Sequence, residues 1–255
     1  MPEQHDPSQA TASTAPSAAV ESASEDPEPD PDASAVSIPS GVRLVLATHN
    51  AGKLAELRAM IAAELPGLNV ERAVVDAGSL GLPDVRETGT TFQANALLKA
   101  HAAAEASGLP AVADDSGLAV DVLHGAPGIF SARWAGRHGD DTANLDLLLA
   151  QLGDIPDEHR AAGFVCAAAL VTPEGAEHLE FGHLRGTLLQ EPVGDGGFGY
   201  DPVLRPDGLD VSCAQLDPEH KNRISHRGQA MAALAPHLVA LLSQGAPAAE
   251  PGEER

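Results

Sequence analysis

The sequence predicts an α/β fold, a sheet layered with helices, on three observations. A β-branched apolar run at 42–46 passes through a polar turn into residues 53–65, where Leu54, Leu57, Ile61 and Leu65 recur at helical spacing. A second helical stretch stops at Gly108 and Pro110 and leads straight into the apolar run Ala111-Val112-Ala113. Two apolar stretches, 163–171 and 177–185, flank the turn Pro173-Glu174-Gly175 as a hairpin would.

In chain order, residues 1–40 hold eight acids and no Lys or Arg, set among Ser, Ala and Pro. Such a segment buries too little apolar surface to offset its chain entropy and is expected to be disordered. The folded domain is expected over 41–243, with a flexible tail at 244–255. Its first strand ends at Thr48-His49-Asn50-Ala51-Gly52-Lys53. This turn is not a P-loop, because Ala47 stands where that pattern has its first glycine and Leu54 replaces the hydroxyl after the lysine. Backbone N–H groups at a helix start, a permissive Gly52 and the Lys53 ammonium nevertheless suit a phosphate. An ordinary strand-to-helix loop with a solvated lysine is the alternative.

A second strand is expected near 69–75. Thr90 with Gln93 forms a capping-box pattern for the helix ending at Ser107, and Asn95 and Lys99 share one face of it. That face and Glu87, at the entrance of the helix, could converge on the next strand. There Asp114, Asp115 and Ser116 are expected where the strand ends in a turn at Gly117, a usual ligand position in open α/β sheets. Alternation lets one of the two carboxylates face a ligand. An Asx turn with solvated carboxylates is the competing reading. Leu118, Val120 and Val122 alternate as a further strand.

Beyond Gly128, Asp140 or Asp141 caps a helix carrying Leu145, Leu148, Leu149 and Leu152. In the hairpin, His178 and His183 fall on opposite strand faces, which rules them out as a metal pair. The loop Gly194-Asp195-Gly196-Gly197-Phe198-Gly199-Tyr200-Asp201 surrounds two aromatic rings with glycines, in a chain with 3% aromatics. That composition suits close approach of a ligand and a stacking face. Ser225 is placed to cap the last helix, with His226 and Arg227 at its positive end.

The net charge of −22 argues against a nucleic-acid partner, and no apolar run is long enough to span a bilayer. Cys166 and Cys213 are too few for a disulfide scaffold, so a cytoplasmic setting is the default expectation.

Taken together, Thr48 to Lys53, Glu87-Thr88-Gly89, Phe92-Gln93-Ala94-Asn95-Ala96 with Lys99, Ala113 to Leu118, Ser131-Ala132-Arg133, Gly197 to Pro202 and Ser225-His226-Arg227-Gly228 resemble the inosine triphosphate pyrophosphatase family, the dITP/XTP pyrophosphatases, over about 42–242. The resemblance implies a long, twisted mixed sheet with flanking helices in two lobes and an active-site cleft between them. It also implies a homodimer that hydrolyses noncanonical purine nucleoside triphosphates (ITP, dITP, XTP) to the monophosphate and pyrophosphate with Mg2+. On the same basis Asp115 corresponds to the general base and a metal contact, and Glu87 to a second metal carboxylate. Ser116 corresponds to a substrate contact, and Thr48, His49, Asn50, Ala51, Gly52 and Lys53 to the phosphate turn. Phe198, Gly199, Tyr200, Asp201, Lys221, His226 and Arg227 correspond to nucleoside-binding positions. His49 stands where the family often has Gly, Arg86 where a second acid often precedes Glu87, and Trp134 where Tyr is common.

Overall fold

The computed structural model describes residues 36–244. The expectations of disorder for 1–40 and flexibility for 244–255 therefore fall largely outside the described residues. Within the described part, Val36 packs against a core cluster and the Ser40 carbonyl accepts from Arg72.

Strand β1 (Leu44–Leu46) is buried at every position, as a parallel strand covered on both faces must be. Helix α1 (Ala51–Glu64) follows, then the single turn α2 (Val70–Ala73) and β2 (Val74–Asp76). The strand expected over 69–75 is thus shorter. Asn69 accepts from the Arg72 N–H and caps a helical turn before the chain extends, a use of Asn that apolar patterning does not reveal. Helix α3 (Phe92–Ser107) starts one residue later than the capping-box pattern suggests, because Thr91 rather than Thr90 accepts from Ala94 N–H.

The largest difference is at β3 (Ala111–Val120), which runs unbroken through Asp114, Asp115 and Gly117. No turn forms at Gly117; the glycine is there because a Cβ would collide with Ser131 and lie 2.6 Å from the Gly128 carbonyl. Ser131 in turn accepts from Leu118 N–H, occupying the β3 edge beyond the end of β1. Helix α4 (Asp141–Gln151), capped by Asp140, and the hairpin β4 (Ala161–Val171) with β5 (Glu177–Leu188) follow the expected pattern. The chain closes with β6 (Leu204–Pro206), α5 (Pro218–Ile224) and α6 (His226–Ser243), which Ser225 caps.

These strands form a mixed six-stranded sheet in the order β2-β1-β3-β4-β5-β6. The pairs β1·β2 and β1·β3 are parallel, and the remaining pairs are antiparallel. On one face, α1 and α6 pack through Leu57, Ile61, Leu234 and Leu238 on Leu44, Leu46, Val112 and Leu170. Farther along that face, α4 supplies Leu145 and Leu148 to a second cluster with Leu118, Val120 and Leu188. The two clusters are the two lobes, and Asp114 and Ser116 lie on β3 between Val112 of the first and Leu118 of the second. The opposite face is covered by α3, whose Ala96, Ala100 and Ala103 meet Ala111, Ala113, Ala167 and Ala169. Small side chains on both sides bring α3 close to the sheet, so longer polar residues on the helix can reach past the alanines to β3. Among the described residues no helix is long and apolar enough to cross a membrane, and both cysteines are free and buried.

Candidate active site

Strand order departs from chain order at β1 and β3, and the crevice beyond the carboxyl ends of such strands is where open α/β sheets hold ligands. The turn Thr48 to Lys53 leaves β1 there. Asn50 caps α1, its Oδ1 accepting from the N–H groups of Gly52 (2.9 Å) and Lys53 (3.3 Å), and Thr48 Oγ1 accepts from Asn50 N–H. Two of the donors expected to face a phosphate are therefore taken by Asn50, which leaves Lys53 as the principal cation of the turn. His49 pairs with Asp84 at 2.9 Å, tying the turn to the 77–85 segment.

Consecutive strand residues point to opposite faces, so Asp114 and Asp115 enter different surroundings. Asp114, 2% exposed, accepts from Lys53 Nζ at 2.6 Å and lies 3.5 Å from Arg227 Nε. Burial pushes its carboxyl up, but Lys53 and Arg227 outweigh burial and hold it down at about 2. At neutral pH it is an anion joining the phosphate turn to the start of α6. Arg227 is fixed further by Glu56.

Asp115 faces α3. Its Oδ2 accepts from Asn95 Nδ2 at 3.0 Å, its Oδ1 accepts from Ser116 N–H at 3.0 Å, and Lys99 Nζ is 3.7 Å from Oδ1. Lys99 also donates to Glu87 Oε1 at 2.7 Å. Burial raises the Asp115 carboxyl above its ordinary value; Lys99 and the Asn95 bond oppose the rise, while Glu87 adds to it. The result is a carboxylate better able to take a proton than Asp114. The convergence of Asn95, Lys99 and Glu87 anticipated from the helix face is present, through i, i+4 spacing on α3.

A cavity of ≈ 460 Å³ lies between the two lobes, lined by Lys53, Ser116, Phe164, Phe198, Tyr200, Lys221, His226 and Arg227. Phe198 is 77% exposed, and Lys221 Nζ is 5.1 Å from its ring centroid. Tyr200 behaves differently from Phe198. Its ring is buried in the α4 lobe and its hydroxyl donates to the Ser131 carbonyl, so it anchors the loop rather than offering a stacking face. Asp201 is buried as well, accepting from Phe198 N–H and Lys221 Nζ. Asp140 and not Asp141 caps α4; Asp141 accepts instead from Gly199 N–H and pins the same loop to α4. His226 stacks on Phe164 at 5.0 Å, and its buried Nδ1 has no partner among the described residues. Burial lowers its pKa to about 4, so the ring is neutral at pH 7.

A second cavity, on the side of Glu87 and Lys99, shares Asn50 and Lys53 with the first. The two meet at the N-terminus of α1. Sequence reasoning missed the Lys53–Asp114–Arg227 linkage and Glu56, since separations of 61 and 171 residues leave no local signal.

Fold and site together define an α/β cleft protein with a ligand crevice at the carboxyl ends of its parallel strands. The chain belongs to the Ham1 family, whose model matches residues 44–237. It is 64% identical to a dITP/XTP pyrophosphatase of Streptomyces coelicolor over 200 residues, 78% of this chain and 98% of the relative. The solved structure of a nucleoside-triphosphatase, dITP/XTP pyrophosphatase, from Mycobacterium abscessus is 49% identical and covers 76% of this chain and 100% of its own, with a TM-score of 0.65. That of a HAM1 protein from Coxiella burnetii is 39% identical over 78% of this chain and 99% of its own, with a TM-score of 0.71. The family found is the one the motifs resemble.

Proposed function

We propose that this chain hydrolyses noncanonical purine nucleoside triphosphates, dITP, ITP and XTP, to the monophosphate and pyrophosphate, removing them from the nucleotide pool. The observation that carries the proposal is the pair of cavities joined at Lys53: an aromatic-lined one sized for a nucleoside, and one walled by Lys53, Lys99 and Glu87. A ligand with a planar ring at one end and a polyanion at the other matches both. The names of the Streptomyces and Mycobacterium relatives support the same substrate class.

In this mechanism Lys53 neutralises phosphate charge at the α1 N-terminus. Asp115, held against α3, takes the proton of the water that attacks the α-phosphorus. The bond from that phosphorus to the bridging oxygen breaks, and pyrophosphate leaves with its electron pair. Ser116, Phe198, Lys221, His226 and Arg227 bind the nucleoside. A 6-oxo purine presents an acceptor that donors on this side can meet, whereas an adenine amino group would leave such donors unpaired.

Mg2+ suits the donor set. Asp115 and Glu87 are hard oxygen ligands, and the Lys99 ammonium bridging them marks the gap between the two carboxylates as complementary to positive charge. Among the described residues there is no cluster of three or more His, Cys, Asp or Glu able to cage a metal, so substrate phosphates would complete the coordination. When bound, Mg2+ supplies charge neutralisation and polarisation of the phosphates.

The proposal extends to a cytoplasmic homodimer. The free thiols fit a reducing compartment, and exposed Phe130 and Phe181 offer apolar surface to a second copy. The test is a panel of triphosphates (dITP, ITP, XTP, the four standard deoxynucleotides and methylated analogues) assayed for pyrophosphate with Mg2+ and with EDTA. Highest kcat/KM for the 6-oxo noncanonical purines, abolished by EDTA, is expected. Preference for methylated or pyrimidine substrates would reassign the substrate class, and tight dITP binding with no product would make the protein a nucleotide sensor.

A further inference from the structure

Asn95 is completely buried and both ends of its amide are engaged. Oδ1 accepts from Gly89 N–H at 2.8 Å, and Nδ2 donates to Asp115 Oδ2 at 3.0 Å. A backbone N–H can only donate, so it fixes which end of the amide faces Gly89 and turns the NH2 group toward Asp115. The glycine permits this approach, since a Cβ at Gly89 would lie 2.5 Å from Asn95 Oδ1 and 2.9 Å from Asn95 N. Rotation of a carboxylate about its terminal bond is otherwise soft. Here Asn95 holds one oxygen of Asp115, while Ser116 N–H and Lys99 meet the other. Gly89 lies two residues beyond Glu87, so one amide ties the segment carrying Glu87 to the orientation of Asp115.

We propose that Asn95 is a positioning residue for hydrolysis: it locks the rotation of the Asp115 carboxylate and docks the Glu87 segment beside it, without touching substrate. Its amide is the donor in this arrangement, and shape alone does not replace it. Asn95→Asp keeps the shape and the Gly89 bond but sets an acceptor against Asp115. Gly89→Ala disturbs the same bond from its other end.

The inference rests on the reading of Asp115 as the base. It is tested on the full chain with dITP and saturating Mg2+, alongside the dissociation constant of the nonhydrolysable α,β-methylene dITP and the thermal midpoint of each variant. Asn95→Ala, Asn95→Asp and Gly89→Ala are expected to lower kcat by about 10- to 100-fold, with KM and analogue affinity within about threefold of wild type. In the Asp115→Asn background, Asn95→Ala is expected to add no further loss. A merely structural residue would lower the thermal midpoint and leave kcat, measured well below it, unchanged. Folded Asn95→Asp with kcat within about twofold of an active wild type, or losses that add in the double variant, would overturn the inference alone. A wild-type chain that releases no pyrophosphate from any triphosphate would overturn the reading of Asp115, and the inference with it.

Discussion

Replacing Asp114 with Asn removes a buried anion from between Lys53 and Arg227 without changing its shape. In the folded chain its carboxyl is held at about 2 against an ordinary 3.8. At about 1.4 kcal/mol per unit, that difference is about 2 kcal/mol of stability. Little is lost to screening, because the Asp114 side chain is 2% exposed. Lys53 at 28% and Arg227 at 14% exposure can recover water in the variant, which keeps the loss below the about 3–5 kcal/mol of a sealed buried pair. The folded value lies below the unfolded one, so the stabilisation is complete above about pH 4 and fades as the pH falls toward 2. Urea unfolding of wild type and Asp114→Asn should therefore show a gap of about 2 kcal/mol at pH 7, narrowing to about 1 kcal/mol at pH 3. No gap at pH 7, or one that stays constant on acidification, would refute the view that Asp114 is a charged clamp.

Phe198→Ala should raise KM for dITP about tenfold, the scale of one base–aromatic stack, and leave unfolding free energy within about 0.5 kcal/mol, since the ring is 77% exposed. Steady-state kinetics beside chemical denaturation checks both halves. Gly182→Ala should do the reverse at the start of α6: the added Cβ would collide with the His226 carbonyl and lie 2.7 Å from Ala230 N. A loss of about 3 kcal/mol in denaturant unfolding is expected, because the obstacle is backbone.

How far the sequence could be read depended on how local each signal was. The β1–α1 unit and the hairpin were legible because strand alternation, leucine spacing and Pro-Gly turns act over a few residues. Gly117 misled, since a glycine beside two aspartates reads as a turn while its reason is steric: Ser131 and Gly128 crowd its face of a continuous strand. Helix α3 hides its packing face because alanines line it and scarcely mark an apolar stripe. At the site, the separation of Asp114 from Asp115 followed from alternation alone. Their partners lie 61 and 20 residues away and became visible only with the fold. The aromatic loop was legible as a site element, but which ring stays free depended on the Tyr200–Ser131 contact, set by tertiary packing.

The two adjacent carboxylates are unequal: Asp115 faces α3 with a raised carboxyl, and Asp114 is buried between Lys53 and Arg227. Pyrophosphate release from dITP with Mg2+, measured for wild type, Asp114→Asn and Asp115→Asn, each shown to be folded by circular dichroism, tests this inequality. Asp115→Asn is expected to lose about 10²- to 10⁴-fold in kcat, the usual contribution of a general base, and Asp114→Asn distinctly less. Near-normal turnover by Asp115→Asn, or equal damage from the two substitutions, would contradict it.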